Sequence, residues 1–172
     1  MQPIAGLGID GRREYGRTSV RERIVAEIYR RLKTNDWTLK TEPWRHIQRT
    51  PIDAEYDGGR GSILALVDGA EEFGVGGQRT QNTVQIDIEF ALIPGEKEED
   101  ATVLNLICAE LVELFGGEHT LAEGGDGASL SCTFYARSFE PEYRDGVSQT
   151  ARGLVTFEMQ YRTRVGKPFE LA

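Results

Sequence analysis

The strongest constraint on this chain is a run of strict alternation late in its sequence. Within residues 153–163, Val155, Phe157, Met159 and Tyr161 fall on one side of an extended backbone, and Thr156, Glu158, Gln160 and Arg162 fall on the other. Side chains alternate across a strand, so the pattern predicts a long strand completing a half-buried sheet. Residues 164–169 follow it and read as a short tail containing Pro168. The strand brings no nucleophile and no metal-ligand cluster. It is scaffold, and it points to a structural part.

The 172 residues are 39% hydrophobic and 28% charged, which suits one soluble globular domain with a real core. Residues 1–18, rich in Gly and Arg, are expected to form an extended arm ahead of a single domain over 19–172. No apolar run reaches the ~20 residues that cross a bilayer. Gly, Arg and Asp interrupt any leader pattern early, so the chain is expected to stay where it is made, with no membrane partner. Cys108 and Cys132 are expected to be small buried thiols, and no His lies near them to complete a zinc site.

Charge is distributed unevenly. Residues 1–50 hold 11 basic and 6 acidic groups, residues 51–126 hold 3 and 17, and residues 127–172 hold 6 and 5. So acidic a middle segment repels nucleic acid.

Ser19 followed by Glu22 forms a candidate capping box, and Val20, Ile24, Val25, Ile28 and Leu32 line one face of a helix that ends near 34–36. Residues 44–50, between Pro43 and Pro51, suggest a short or edge strand. Residues 63–67 read as a short buried strand, and 71–80 as a long glycine-rich loop. Thr83 to Leu92 alternates cleanly as a second, antiparallel strand. An acidic turn leads into a helix from about Asp100, with Val103, Leu104, Ile107, Leu111, Leu114 and Phe115 as its stripe and Gly116-Gly117 as its stop. A glycine-rich loop through Gly127, a strand over 129–137 and a polar loop over 141–150 precede the final strand.

The residue patterns that could carry chemistry are each incomplete. Residues 6–11 contain glycines like a nucleotide loop, but no strand precedes them and the third glycine is misplaced. Asp87 and Glu89 share a strand face, as do Asp53 and Glu55, yet neither pair is followed by the Lys that a metal-dependent nuclease of the restriction type wants. Residues 124–127 match only a fragment of a calcium loop. His46 stands alone, and no serine has an elbow motif. No catalytic residue, metal ligand or cofactor site is expected.

The order of these elements resembles the tail terminator, or tail completion, proteins of tailed bacteriophages. The resemblance is carried by the helix Val20–Leu32, the segment 64–72, the strand Thr83–Leu92, the helix Ala101–Phe115, and residues 157–163 before Pro168, and it covers about residues 19–169. It implies an α/β (α+β) domain with two main helices packed on a mixed, mostly antiparallel sheet. It implies a non-enzymatic virion protein that closes, as a homohexameric ring, on the tail tube, stops tube growth and presents a surface to the neck or head-completion protein. DNA would pass through the lumen without specific binding. The virion tail or neck region, and the host cytoplasm during assembly, are the implied locations. The longer arm and the glycine-rich loop over 116–128 depart from compact members, and keep another neck, tube or baseplate adaptor role open beside a small metal-dependent nuclease. Candidate assembly contacts are Glu71, Glu72, Phe73 and Arg79 in the loop, and Glu158, Gln160 and Arg162 on the polar side of the last strand. The acidic middle segment is a candidate lumen lining.

Overall fold

A computed structural model describes residues 19–38, 44–59, 61–94, 99–122, 129–144 and 149–171. The expected arm over 1–18, the glycines at 6–11 and the calcium-loop fragment at 124–127 lie outside these residues. The elements are α1 (Val20–Thr34), β1 (His46–Gln48), β2 (Ile63–Gly76), β3 (Arg79–Leu92), α2 (Asp100–Phe115), β4 (Gly117–Ala122), β5 (Ser129–Glu142), β6 (Ala151–Arg164) and β7 (Lys167–Leu171). One sheet contains every strand, in the order β1-β2-β3-β6-β5-β4, with β7 pairing with the end of β6. Among the described strands, only β1 and β2 run parallel. The fold is α+β, a mostly antiparallel sheet with two helices packed against it.

The centre of the sheet is the pair β3 and β6. Fourteen residues of each strand pair in unbroken register, from Arg79 opposite Arg164 to Leu92 opposite Ala151. On one side of this ladder Val84, Ile86, Ile88 and Phe90 meet Met159, Phe157, Val155 and Gly153, all buried. The apolar stripes of α1 and α2 close over them as one core. Each large apolar side chain buried there contributes about 1.5–3 kcal/mol. The alternation of β6 therefore has its expected outcome, since its apolar row faces the helices.

Local chemistry sets the helix ends. The Glu22 amide donates to Ser19 Oγ at 3.1 Å, capping α1. The Glu22 carboxylate does not turn back to complete a capping box, because it accepts from Arg49 at 2.5 Å. At the start of α2, the Asp100 carboxylate lies in the first turn, where the helix dipole favours an anion. It accepts from the Arg144 amide at 2.8 Å and from Arg144 Nε at 2.7 Å, tying the helix to the chain beyond β5. The Arg144 guanidinium holds the Asp100 carboxyl below the usual aspartate range.

Several elements differ from the sequence expectation. Residues 71–80 are no loop. β2 continues to Gly76, and Gly77-Gln78 form a two-residue hairpin turn in which Gly77 takes φ 63°. Gly74 and Gly76 lie inside the strand, so glycine content imitated a loop. The tail after β6 turns at Val165-Gly166 and returns as β7. Residues 117–122, expected within a loop, form β4 along the edge of β5. β5 itself runs five residues past Arg137. Both cysteines are free; Cys132 is buried and Cys108 only half so. Burial pushes the Cys132 thiol up to about 12, leaving it unreactive at neutral pH.

Gly153 lies opposite Phe90 in the central ladder, and a Cβ there would sit 2.3 Å from the Phe90 ring. That ring cannot retreat easily, since Trp44 and Phe139 flank it at 6.1 and 6.4 Å between centroids. Gly153→Ala is expected to lose about 1–3 kcal/mol of stability by overpacking, read by urea denaturation. Asp100→Asn tests the helix tie. The carboxyl titrates lower folded than its ordinary value of 3.8, so its contribution is complete above that value and fades as the pH falls through the folded one. The wild type should therefore lose stability over this acid window more steeply than the variant, whose deficit is largest near neutral pH.

Candidate assembly face

The helices cover one face of the sheet and leave the other without a helix among the described residues. On this open face the cross-strand rows are polar. Glu72, Thr83, Gln160 and Thr133 form one row, Gln85, Glu158 and Tyr135 the next, and Asp87 and Thr156 the one after. Hydrogen bonds join the rows into a ribbon. Arg137 donates to Glu158 at 2.7 Å, and Gln160 donates to Glu158 at 2.7 Å. Gln81 reaches Gln160 at 3.4 Å, and Arg162 Nε donates to Gln81 at 3.0 Å. Arg137 and then Gln160 hold the Glu158 carboxyl below its usual range. Gln81, Glu158 and Gln160 in the ribbon are half-buried by these neighbours, while Arg137 and Arg162 are exposed.

Two irregularities shape this face. β2 carries two residues, Gly69 and Ala70, against the single Gln85 of β3. β5 carries an extra residue, Arg137, beside Phe157 and Thr156 of β6. These bulges flank the central pair at nearly the same level, where extra residues bend a strand and increase its twist. Between them lies a groove of about 410 Å³ lined by Ala70, Glu72, Thr83, Arg137, Thr156 and Glu158, among others.

The bulge in β2 also places acids on the helix side. Asp68 lies opposite Ile86 and Glu71 opposite Val84, so both carboxylates face α1. Arg21 of that helix donates to Asp68 Oδ2 and to the Gly69 carbonyl, both at 2.7 Å, and lies 3.5 Å from Glu71. Arg49 adds a contact to Asp68 at 3.3 Å, and the Tyr161 hydroxyl donates to Glu71. Burial works to raise the Asp68 carboxyl, but Arg21 and then Arg49 outweigh it and hold it low.

The seven candidate contacts thus separate by face. Glu72, Arg79, Glu158, Gln160 and Arg162 lie along the open face, from the groove to the hairpin turn. Glu71 is a packing residue, committed to Tyr161 and Arg21. Phe73 lies on the helix-side face beyond α1 and is 67% exposed, with Val75 beside it at 72%. Two apolar side chains that exposed, on a stretch of β2 beyond its pairing with β1, are the kind of feature that marks contact surfaces. Sequence reading missed Val75, Arg137 and Arg164; alternation from β3 into the hairpin would have found the first had 71–80 been read as strand. Among the described residues, the acids of 51–126 do not share one surface: Asp68 and Glu71 serve α1, Asp100 serves α2, and Glu110 accepts from Thr38 at 2.7 Å.

Asp87 and Glu89 are likewise engaged. Asp87 accepts from Gln85 and Thr156, both at 2.9 Å, and Glu89 accepts from the Ile52 amide at 2.8 Å. Among the described residues, no three His, Cys, Asp or Glu groups are placed to hold a metal ion. Among the described residues, no helix is long and apolar enough to cross a membrane. No family model and no curated protein matches this chain.

Arg21→Met is expected to destabilise the fold by about 1–3 kcal/mol, because the half-buried Asp68 carboxylate loses a close donor and Glu71 a neighbouring cation. Adding Asp68→Asn should recover part of that loss, a coupling that a double-mutant cycle in urea measures.

Proposed function

We propose that this chain is a structural ring subunit of a phage tail, a terminator that caps the tail tube and offers a joining surface to the neck. What carries the reading is the order and layering of its elements: α1, a hairpin, α2, then the long closing strand. Both helices lie on one face of a mostly antiparallel sheet. This is the architecture that the family resemblance implies over residues 19–169. A ring needs unlike patches that meet head to tail. The open polar face and the exposed Phe73–Val75 edge offer unlike surfaces on one subunit. The role is architectural, with no catalysis and no cofactor. An acidic lumen would draw on the open-face carboxylates, Glu72, Asp87 and Glu89, rather than on the whole acidic segment.

Electron microscopy of particles assembled with a tagged chain tests this reading. The tag should appear once, at the head–tail junction, and particles assembled without the chain should have tails of unregulated length that fail to join heads. A tag spread along the tube, or found at the baseplate, overturns it.

A further inference from the structure

The outer edge of β2 is covered only at its start. β1 pairs with residues 63–65, and from Leu66 to Gly76 no strand lies along that edge among the described residues. An uncovered edge offers unpaired amides and carbonyls to another strand, and proteins blunt it with charge, proline or a bulge. β2 carries such guards as far as Glu72, in the bulge at Gly69-Ala70 and the two acids after it. Residues 73–76 carry none. Phe73 and Val75 within them are the two most exposed large apolar side chains among the described residues.

The turn fixes which backbone groups face outward. Gly77-Gln78 closes a two-residue hairpin, so Gly76 and Arg79 form a hydrogen-bonded pair, and bonded pairs alternate from there. Gly74 therefore bonds inward to Gln81, while Phe73 and Val75 turn both amide and carbonyl to the open edge. Side chains alternate too. Phe73 and Val75 lie on the helix side, and Glu72, Gly74 and Gly76 on the open face, with Arg79 beside Gly76. Glu72 and Arg79 are exposed, and neither has an ionic partner among the described residues. Four residues of strand, roughly 13 Å, separate their rows, too far for them to meet within one copy.

We infer that this edge pairs antiparallel with the same edge of a second copy, about a two-fold axis at Gly74. In that register Phe73 of each copy lies opposite Val75 of the other, an aromatic and β-branched pair of the kind that stabilises sheets. The same two residues exchange the backbone hydrogen bonds that each copy leaves open. On the other face, Glu72 lies opposite Gly76 of the second copy, and that copy's Arg79 is next in the row. A Cβ at Gly76 would meet no atom within 4 Å, so the way over it is clear and the guanidinium can reach the carboxylate, twice by symmetry. A register centred on Phe73 loses both gains, since it sets Val75 against Glu71 and Glu72 against Gly74. A two-fold contact joins like patches and closes no ring. The ring reading spends this edge head to tail, so the pair is the form of the unassembled subunit, and it stands whether or not the tail reading holds.

Sedimentation velocity and a cysteine cross-link test the contact with the full chain. The wild type should reach a concentration-dependent equilibrium that stops at dimers. Glu72→Arg and Arg79→Glu should each raise the dissociation constant about tenfold or more, because each sets like charges face to face. The double variant Glu72→Arg with Arg79→Glu should recover the wild-type value, a rescue that also shows the swapped chain to be folded. Val75→Pro should abolish dimers while keeping the wild-type circular dichroism spectrum, since the amide it removes points away from the β3 ladder. Gly74→Cys should form a disulfide-linked dimer under mild oxidation: opposite residues of a non-bonded antiparallel pair lie about 4.5 Å apart at Cα, within disulfide reach. Gly76→Cys and the wild type should not. The inference is overturned if the wild type stays monomeric at high concentration, if dimers survive Val75→Pro unchanged, if the double swap is no tighter than the single variants, or if Gly76→Cys cross-links in place of Gly74→Cys. A monomeric wild type whose capture by assembled tail tubes is lost in Val75→Pro overturns it in favour of another protein at the same edge.

Discussion

Everything in this molecule hangs on the pairing of β3 with β6. The two strands supply the apolar row over which both helices close, and the polar row that remains open behind it. Their alternation is strict enough that a single residue of slip would exchange the two faces. Gly153 lets Phe90 lie over the ladder, and Phe90 in turn organises Trp44 and Phe139. One glycine thus sets the packing of three aromatic rings drawn from three parts of the chain.

The flanking strands adapt to this rigid pair. β2 and β5 each insert a residue at nearly the same level, and the sheet changes character there. Below the bulges it is a covered domain with a dense core. Above them β2, β3 and β6 run on to the hairpin turns, where helix-side positions include Thr80, Asn82 and Thr163, all buried but polar. Asn82 donates to Thr163 Oγ1 at 3.1 Å, so this end holds register by hydrogen bonding where the domain holds it by apolar packing. Arg21 joins the two regimes, since it spans the β2 bulge from the first turns of α1. Six carboxylates of the middle of the chain, Asp68, Glu71, Asp87, Glu89, Asp100 and Glu110, are spent on holding elements together.

The helices and the two central strands were legible because each rests on one local rule: spacing of apolar residues on α1 and α2, a serine cap at Ser19, and alternation on β3 and β6. The failures came where one residue type served two purposes. Gly74, Gly76 and Gly77 look like a loop, yet two are strand residues and one is the turn. Alternation in β5 breaks at Arg137 because of the bulge, so the strand was cut short there. β4 and β7 are short edges beside glycines, with little periodicity to read. Of the candidate contacts, Glu71 lies on the helix side because the bulge in β2 turns it there. The row of Arg79, Arg164 and Lys167 could not be read, since register alone brings Arg79 beside two residues near the other end of the sequence.

The position of β6 between β3 and β5 has a consequence for synthesis. A ribosome that has released α1, the β2–β3 hairpin, α2 and β5 has made a sheet in two halves, each with its most apolar strand uncovered along the inner edge. Neither half can bury Ile86, Ile88 and Phe134 properly until the chain beyond residue 150 emerges and inserts between them. The interval before insertion is when this protein is most exposed to self-adhesion, and slow translation over the final strand would lengthen it.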